Sequence, residues 1–372
     1  MTTLEDPIQL PGHQVRNRIW MAAMTRARAR ADGCIGDLAA QYYAQRASAG
    51  LVVSEGLFPC EAGRGYALTP GLANAAQAAA WEPATRRLRE HGTPFFAQLM
   101  HAGRVAHPSV LPPGVQPCAP SAVAAAGSVW TADGEQPLTV PRALSRSDIA
   151  TVIDEHVQAA RRAMAAGFAG VQIHAGSGYL CMQFLAANSN RRSDAYGGSP
   201  RKRARFVIEL VEALAATVGA RRTSLKLTPG KRFNDIDDGE WPHTCNALLT
   251  ALRPLPLAFV ECAPDTGTSD ADAAVHEALR ACVPGPYTVG GGSAVALPQS
   301  LLARHGADAV MFGRAFIANP DLPARLHMRR PLHAVDTDTV YGGDHRGYTD
   351  YGVSTVDADR TRASAHSAQE TS

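Results

Sequence analysis

No feature of this chain marks it as an electrostatic partner for a polymer or a bilayer. Its 36 Lys and Arg nearly cancel its 34 Asp and Glu, and the net charge of +2 gives no reason to invoke nucleic acid or an acidic membrane surface. Seven cysteines, at 34, 60, 118, 181, 245, 262 and 282, form neither a paired framework nor a Cys-x-x-Cys motif. That argues against a metal or iron–sulfur centre and for a reducing compartment. No apolar run approaches ~20 residues, and the opening Met1-Thr-Thr-Leu-Glu-Asp lacks the basic and apolar parts of a secretory signal. A cytoplasmic location is expected. No Gly-x-Gly-x-x-Gly opens a helix after the first strand, which weakens a dinucleotide-fold reading.

What is present is a large apolar inventory in a repeating order. At 45% hydrophobic and 19% charged over 372 residues, the chain can bury a sizeable core. Short apolar runs at Ile19–Met24, Leu51–Ser54, Phe95–Leu99, Gly170–Ile173, Thr223–Leu227, Ala258–Cys262, Pro286–Val289 and Ala309–Phe312 alternate with helical patterns. They are continuous rather than alternating, as expected of parallel strands covered on both faces. Such runs separated by helices predict a closed (β/α)8 TIM barrel as one domain over residues 1–351. One helix is expected to begin at Ser147-Asp148 and close at Gly167, and another to start at Ser199-Pro200. The connection from His101 to Leu144, rich in Pro, Gly, Ala and Ser, is too long for an ordinary loop and predicts a lid or hairpin after strand three. Residues 352–372 are polar and aperiodic, the pattern of a disordered tail.

The stretch Val171 to Leu180 joins a buried strand to a glycine-broken turn carrying His174, Ser177 and Tyr179. Taken alone it fits a satisfied core histidine beside a core tyrosine better than a catalytic pair. The other strand ends reverse that balance. Thr25 follows strand one, Gln98 lies near the end of strand three, and Lys226 stands on strand five. Together with His174 these are more polar groups than a packed core leaves unpaired, so a polar, flat ligand is expected in the mouth. The glycines after strand seven, with Gly313-Arg314 after strand eight, suit a phosphate: bare backbone N–H groups and a forked cation.

These residues carry a family resemblance. Met21-Ala-Ala-Met-Thr-Arg26, Gln98-Leu-Met-His-Ala-Gly-Arg104, His174 to Leu185, Asn190 to Ser199, Phe312 to Leu322 and Gly347-Tyr-Thr-Asp-Tyr351 resemble, in order, the motifs of the old yellow enzymes. These are FMN-dependent ene-reductases that use NADH or NADPH. The resemblance implies that Ala23, Met24 and Thr25 line the flavin, that Gln98 meets its pyrimidine edge, and that Lys226 takes the place of an arginine beside N1. It implies phosphate contacts from Gly291, Gly292, Gly313 and Arg314.

It further implies that His174 anchors the electron-withdrawing oxygen of an α,β-unsaturated carbonyl or nitro compound. Hydride from flavin N5 then reaches the β-carbon and Tyr179 protonates the α-carbon. Tyr66 and Tyr348 resemble the aromatics flanking the substrate, and Met100 stands where an aromatic is common. Ser177 replaces the usual Asn or His, shortening the second donor of the carbonyl clamp. Lys226 keeps the charge but loses the fork. Arg104 and Arg142 are expected to meet nicotinamide phosphates from the lid. Two alternatives accompany these expectations: a specialised natural-product enzyme performing dehydrogenation or isomerisation, and a flavin-binding barrel with little turnover. The partner class is a small molecule, the protein a monomer or homodimer, and no metal is expected.

Overall fold

The computed structural model describes residues 2–264, 269–283, 285–290 and 298–352. Eight parallel strands close on themselves: β1 (Ile19–Met21), β2 (Val52–Leu57), β3 (Phe95–Leu99), β4 (Gly170–Ala175), β5 (Thr223–Leu227), β6 (Val260–Cys262), β7 (Tyr287–Gly290) and β8 (Ala309–Phe312). Each overlaps a run expected from sequence. β8 pairs with β1 through Met311 opposite Trp20, which completes the barrel.

The pleat divides the interior into layers, because alternate residues of a strand share a face. At the floor, Trp20, Phe96 and Phe259 pack edge to face, with ring centroids 5.3 Å apart in both the Trp20–Phe259 and Phe96–Phe259 pairs. Val53 and Met311 join them, and an antiparallel hairpin, Ile8–Leu10 with His13–Val15, closes that end through Ile8, Leu10 and Val15. Two residues further along the same strands the composition changes from apolar to polar, with Gln98 above Phe96 and Glu261 above Phe259. The barrel is therefore plugged at its N-terminal end and polar at the mouth, where chemistry gathers in this architecture.

Helices cover the outside. The helix Arg146–Ala165 starts one residue before the expected Ser147: Ser145 is its N-cap, and Ser145 and Asp148 form a reciprocal capping box. Its buried stripe includes Ile149, Val152 and Ala160. The helix Pro200–Val218 begins as expected, with Ser199 as N-cap and Pro200 at its first turn.

The long connection after β3 contains an exposed hairpin, Ser128–Thr131 against Gly134–Pro137, and a short parallel pairing of Cys118–Ala119 with Arg142–Ala143. Among the described residues, no helix is long and apolar enough to cross a membrane. The expected tail from residue 353 onward lies outside the described residues.

Candidate active site

The centre of the mouth is the end of β4. His174 is buried there, and the chain turns through Gly176-Ser177-Gly178 before Tyr179 caps the short helix Leu180–Leu185. Ser177 holds φ +51°, a left-handed conformation seldom adopted by a residue with a side chain. Three bonds hold it. The Ser177 N–H donates to Thr228 Oγ1 at 2.7 Å, Asn234 Nδ2 donates to the Ser177 carbonyl at 2.8 Å, and the Gly178 N–H reaches Met182 Sδ at 3.3 Å. At Gly178, φ +75°, a Cβ would come within 2.6 Å of Asn234 Cβ and the Phe233 carbonyl, so only glycine fits this close approach.

This turn brings the imidazole and the phenol together. The rings of His174 and Tyr179 meet edge to face with centroids 5.1 Å apart. The hydroxyls of Tyr179 and Tyr66 lie 3.0 Å from each other. Burial, then the charges of Lys226 and Lys231, hold the His174 pKa well below its ordinary value, so the ring is neutral. Its Nδ1 is buried and has no hydrogen-bond partner among the described residues. Burial, then Tyr66, pushes the Tyr179 phenol well above its ordinary value, so it keeps its proton at neutral pH. An orphaned imidazole nitrogen beside a protonated phenol fits a site built to receive a polar ligand atom.

Beside this pair, over the neighbouring strands β3 to β6, runs a polar chain. Gln98 Nε2 donates to Gln172 Oε1 at 2.7 Å, Gln172 Nε2 donates to Glu261 Oε2 at 2.9 Å, and Lys226 Nζ pairs with Glu261 Oε1 at 2.7 Å. Strand register brings these residues side by side: Gln98 opposite Gln172, and Lys226 opposite both His174 and Glu261. Sequence reasoning found Gln98 and Lys226 and missed Gln172 and Glu261. The signal was available, since a carboxylate inside the apolar run Ala258–Cys262 must be paired if buried.

The segment after β1, with Ala23, Met24 and Thr25 half-buried, is held from behind. Glu55 Oε2 accepts the Arg26 and Ala27 N–H groups at 3.1 and 3.2 Å. Burial raises the Glu55 carboxyl to about 7 despite these bonds and the nearby charges of Arg26 and Arg28. Gly313 lies at the end of β8, and a Cβ there would stand 3.5 Å from Met24 Sδ. Arg314 follows it and is exposed. Gly291 and Gly292, expected to share a phosphate with this pair, lie outside the described residues.

Three sequence expectations change. Arg104 does not reach outward from the insertion. It is buried, and its guanidinium donates to the carbonyls of Val123, Ala124, Asn234 and Asp235. Arg142 is tied to Asp148 at 2.6 Å, where the carboxylate of the capping box holds it.

Tyr348 is fully enclosed. Its ring stacks on Tyr42 at 4.3 Å, with the guanidinium groups of Arg26 and Arg28 5.0 and 4.5 Å from its centroid. Its contacts are with that stack rather than with the His174–Tyr179 pair. Met100 packs into a small apolar cluster with Tyr179, Ala102 and Val105, and Tyr66 sits against the same cluster.

Comparison with known proteins agrees with the barrel fold and identifies its family. The model of the NADH:flavin oxidoreductase / NADH oxidase family matches residues 3–333. The chain is 32% identical over 370 residues to 12-oxophytodienoate reductase 7 of Oryza sativa subsp. japonica, covering 94% of each chain. It is 33% identical to a probable flavin mononucleotide-dependent alkene reductase of Leishmania infantum, covering 93% of this chain and 96% of that one. Among solved structures, morphinone reductase in complex with tetrahydroNAD superposes with a TM-score of 0.90 at 39% identity, covering 95% of this chain and 98% of that one. The barrel with its polar mouth thus belongs to a member of the NADH:flavin oxidoreductase / NADH oxidase family.

Proposed function

We propose that His174, Ser177 and Tyr179 carry the alkene half-reaction of this FMN-dependent NAD(P)H oxidoreductase, an old yellow enzyme-like ene-reductase. The observation that carries the assignment is the neutral, orphaned imidazole of His174 held 5.1 Å from the ring of Tyr179. A neutral imidazole donates a hydrogen bond to a carbonyl or nitro oxygen without giving up its proton, which draws electron density from the β-carbon. Ser177, whose backbone is held by Thr228 and Asn234, is assigned as the second donor to that oxygen. Tyr179 protonates the α-carbon, and its phenol is oriented for this by Tyr66.

FMN, when bound and reduced by NAD(P)H, supplies the hydride for the β-carbon. The residues present fit that group. Ala23, Met24 and Thr25 form one wall, Gln98 and Lys226 offer an amide and a cation to its pyrimidine edge, and the exposed Arg314 beside Gly313 suits its phosphate, with Gly291 and Gly292. Tyr66 and Met100 border the substrate. Tyr348, buried in its stack, supports the segment that carries Thr25 and Arg26. The substrate is a small activated alkene. The seven cysteines are all unpaired, in keeping with a cytoplasmic enzyme; the proposed working form is a monomer or homodimer. A barrel that binds flavin without turnover is not favoured, because relatives matching more than nine-tenths of the chain are named as reductases.

Steady-state kinetics with 2-cyclohexenone test the assignment. His174→Leu should lower kcat/KM by about 10²–10³, the usual loss for one donor to a developing oxyanion. Unchanged kinetics would remove His174 from the reaction.

A further inference from the structure

We infer that Glu261 is a positioning residue for the flavin: through Lys226 it lowers the cofactor's reduction potential, and through Gln172 it fixes which face of Gln98 meets the cofactor. The inference rests on the reading that Lys226 and Gln98 face the pyrimidine edge of FMN, and it goes beyond that reading in assigning the control of both to a third side chain.

The argument begins with valence. A carboxylate only accepts hydrogen bonds. Glu261 is 1% exposed, and both its oxygens are engaged, Oε1 by Lys226 Nζ at 2.7 Å and Oε2 by Gln172 Nε2 at 2.9 Å. The Gln172 amide is thereby forced to turn its NH2 toward Glu261 and its oxygen away. Gln98 must then present its NH2 to that oxygen, at 2.7 Å. Among the described residues Gln98 Oε1 is left without a hydrogen bond, as an acceptor suited to an imide N–H such as flavin N3–H. One carboxylate thus sets the polarity of two amides across three strands.

The same carboxylate alters the charge that the mouth presents. Two-electron reduction of a flavin places negative charge at its N1 and C2 carbonyl edge, which a lone cation stabilises. Here the cation is matched by an anion 2.7 Å away. Inside a barrel, where screening is weak, the pair presents a dipole instead of a full positive charge. The cofactor is accordingly a stronger reductant than the same site with an unmatched lysine would make it.

Glu261→Gln keeps the shape and removes the charge. In the purified FMN-bound protein, the potential measured by anaerobic dye equilibration should rise by at least the equivalent of a tenfold shift in the oxidised-to-reduced ratio, about 30 mV for a two-electron couple. The visible spectrum of the oxidised flavin should also shift as the amide polarity relaxes. Bound FMN with an unchanged potential would overturn the inference.

A second variant covers the case in which Glu261→Gln does not fold. Replacing both partners, as Lys226→Met with Glu261→Leu, removes a buried pair in a way that proteins often tolerate. It should leave the potential within a threefold shift of the parent, whereas a tenfold fall would show that Lys226 acts as an unmatched cation and overturn the inference. Failure of the underlying reading looks different. Either the parent protein binds no FMN, or FMN binds and Lys226→Met alone leaves its potential unmoved.

Discussion

The hydroxyl of Tyr179 lies 3.0 Å from that of Tyr66, while its ring meets His174 edge to face. One phenol is therefore oriented by a partner on each side. Tyr179→Phe removes the acid and keeps the ring, so reduction of the flavin by NADPH should proceed at the parent rate. Reoxidation by an enone should slow by about 10²–10⁴, the usual contribution of a positioned acid. Stopped-flow absorbance separates the two steps. Equal rates for both would exclude Tyr179 as the proton donor.

Ser177 occupies a left-handed position, φ +51°, which asparagine adopts more readily than other residues with side chains. Ser177→Asn lengthens the second donor without straining the turn. Reoxidation by 2-cyclohexenone should accelerate by roughly tenfold, in line with about 1–1.5 kcal/mol for an added hydrogen bond. A slower or unchanged rate would mean that Ser177 does not face the carbonyl oxygen.

Arg314 is exposed just after β8, and its proposed role is to hold the FMN phosphate. Arg314→Ala should weaken FMN binding by about 10- to 100-fold, as expected for a lost charge-assisted bond of roughly 1.5–3 kcal/mol. Fluorescence titration of the apoprotein gives the dissociation constant. Full retention would assign the phosphate to other groups.

His101 and His156 stack 6.3 Å apart in the interior. Burial holds their pKa values down, at about 3 and about 4 respectively, from an ordinary 6.5. Because the folded values are depressed, the stability they confer is present above pH 6.5 and is lost as pH falls toward 4 and then 3. Glu55 has the opposite sign. Its carboxyl is raised from 4.5 to about 7, so its contribution is present below pH 4.5 and is lost as pH rises through 7. The histidine part is isolated by His156→Leu, which should remove on the order of 2 kcal/mol from the acid destabilisation between pH 7 and pH 5. Urea unfolding at the two pH values checks this, and parallel pH dependence in parent and variant would contradict it.

The fold was legible because strands covered on both faces must be continuously apolar, and that pattern marked all eight barrel strands. The site was partly legible for the same reason: His174, Gln98 and Lys226 interrupt or end those runs. Pairing was not legible. Gln172 and Glu261 stand 89 residues apart, and only closure of the barrel brings them into contact. Thr228 and Asn234 act on the backbone of Ser177, a role that no side-chain pattern announces. Sequence points Arg104 toward nicotinamide phosphates and Tyr348 toward the substrate because it shows a guanidinium or a phenol without its burial. In the fold, carbonyl groups absorb the first and cationic stacking encloses the second.

The most direct test is anaerobic stopped-flow on the purified FMN-bound protein in two stages. NAD(P)H should bleach the flavin, and 2-cyclohexenone mixed with the reduced protein should restore its colour with one equivalent of saturated ketone formed. Bleaching followed by no recovery, or recovery without saturated product, would contradict the assignment of His174 and Tyr179 to alkene reduction.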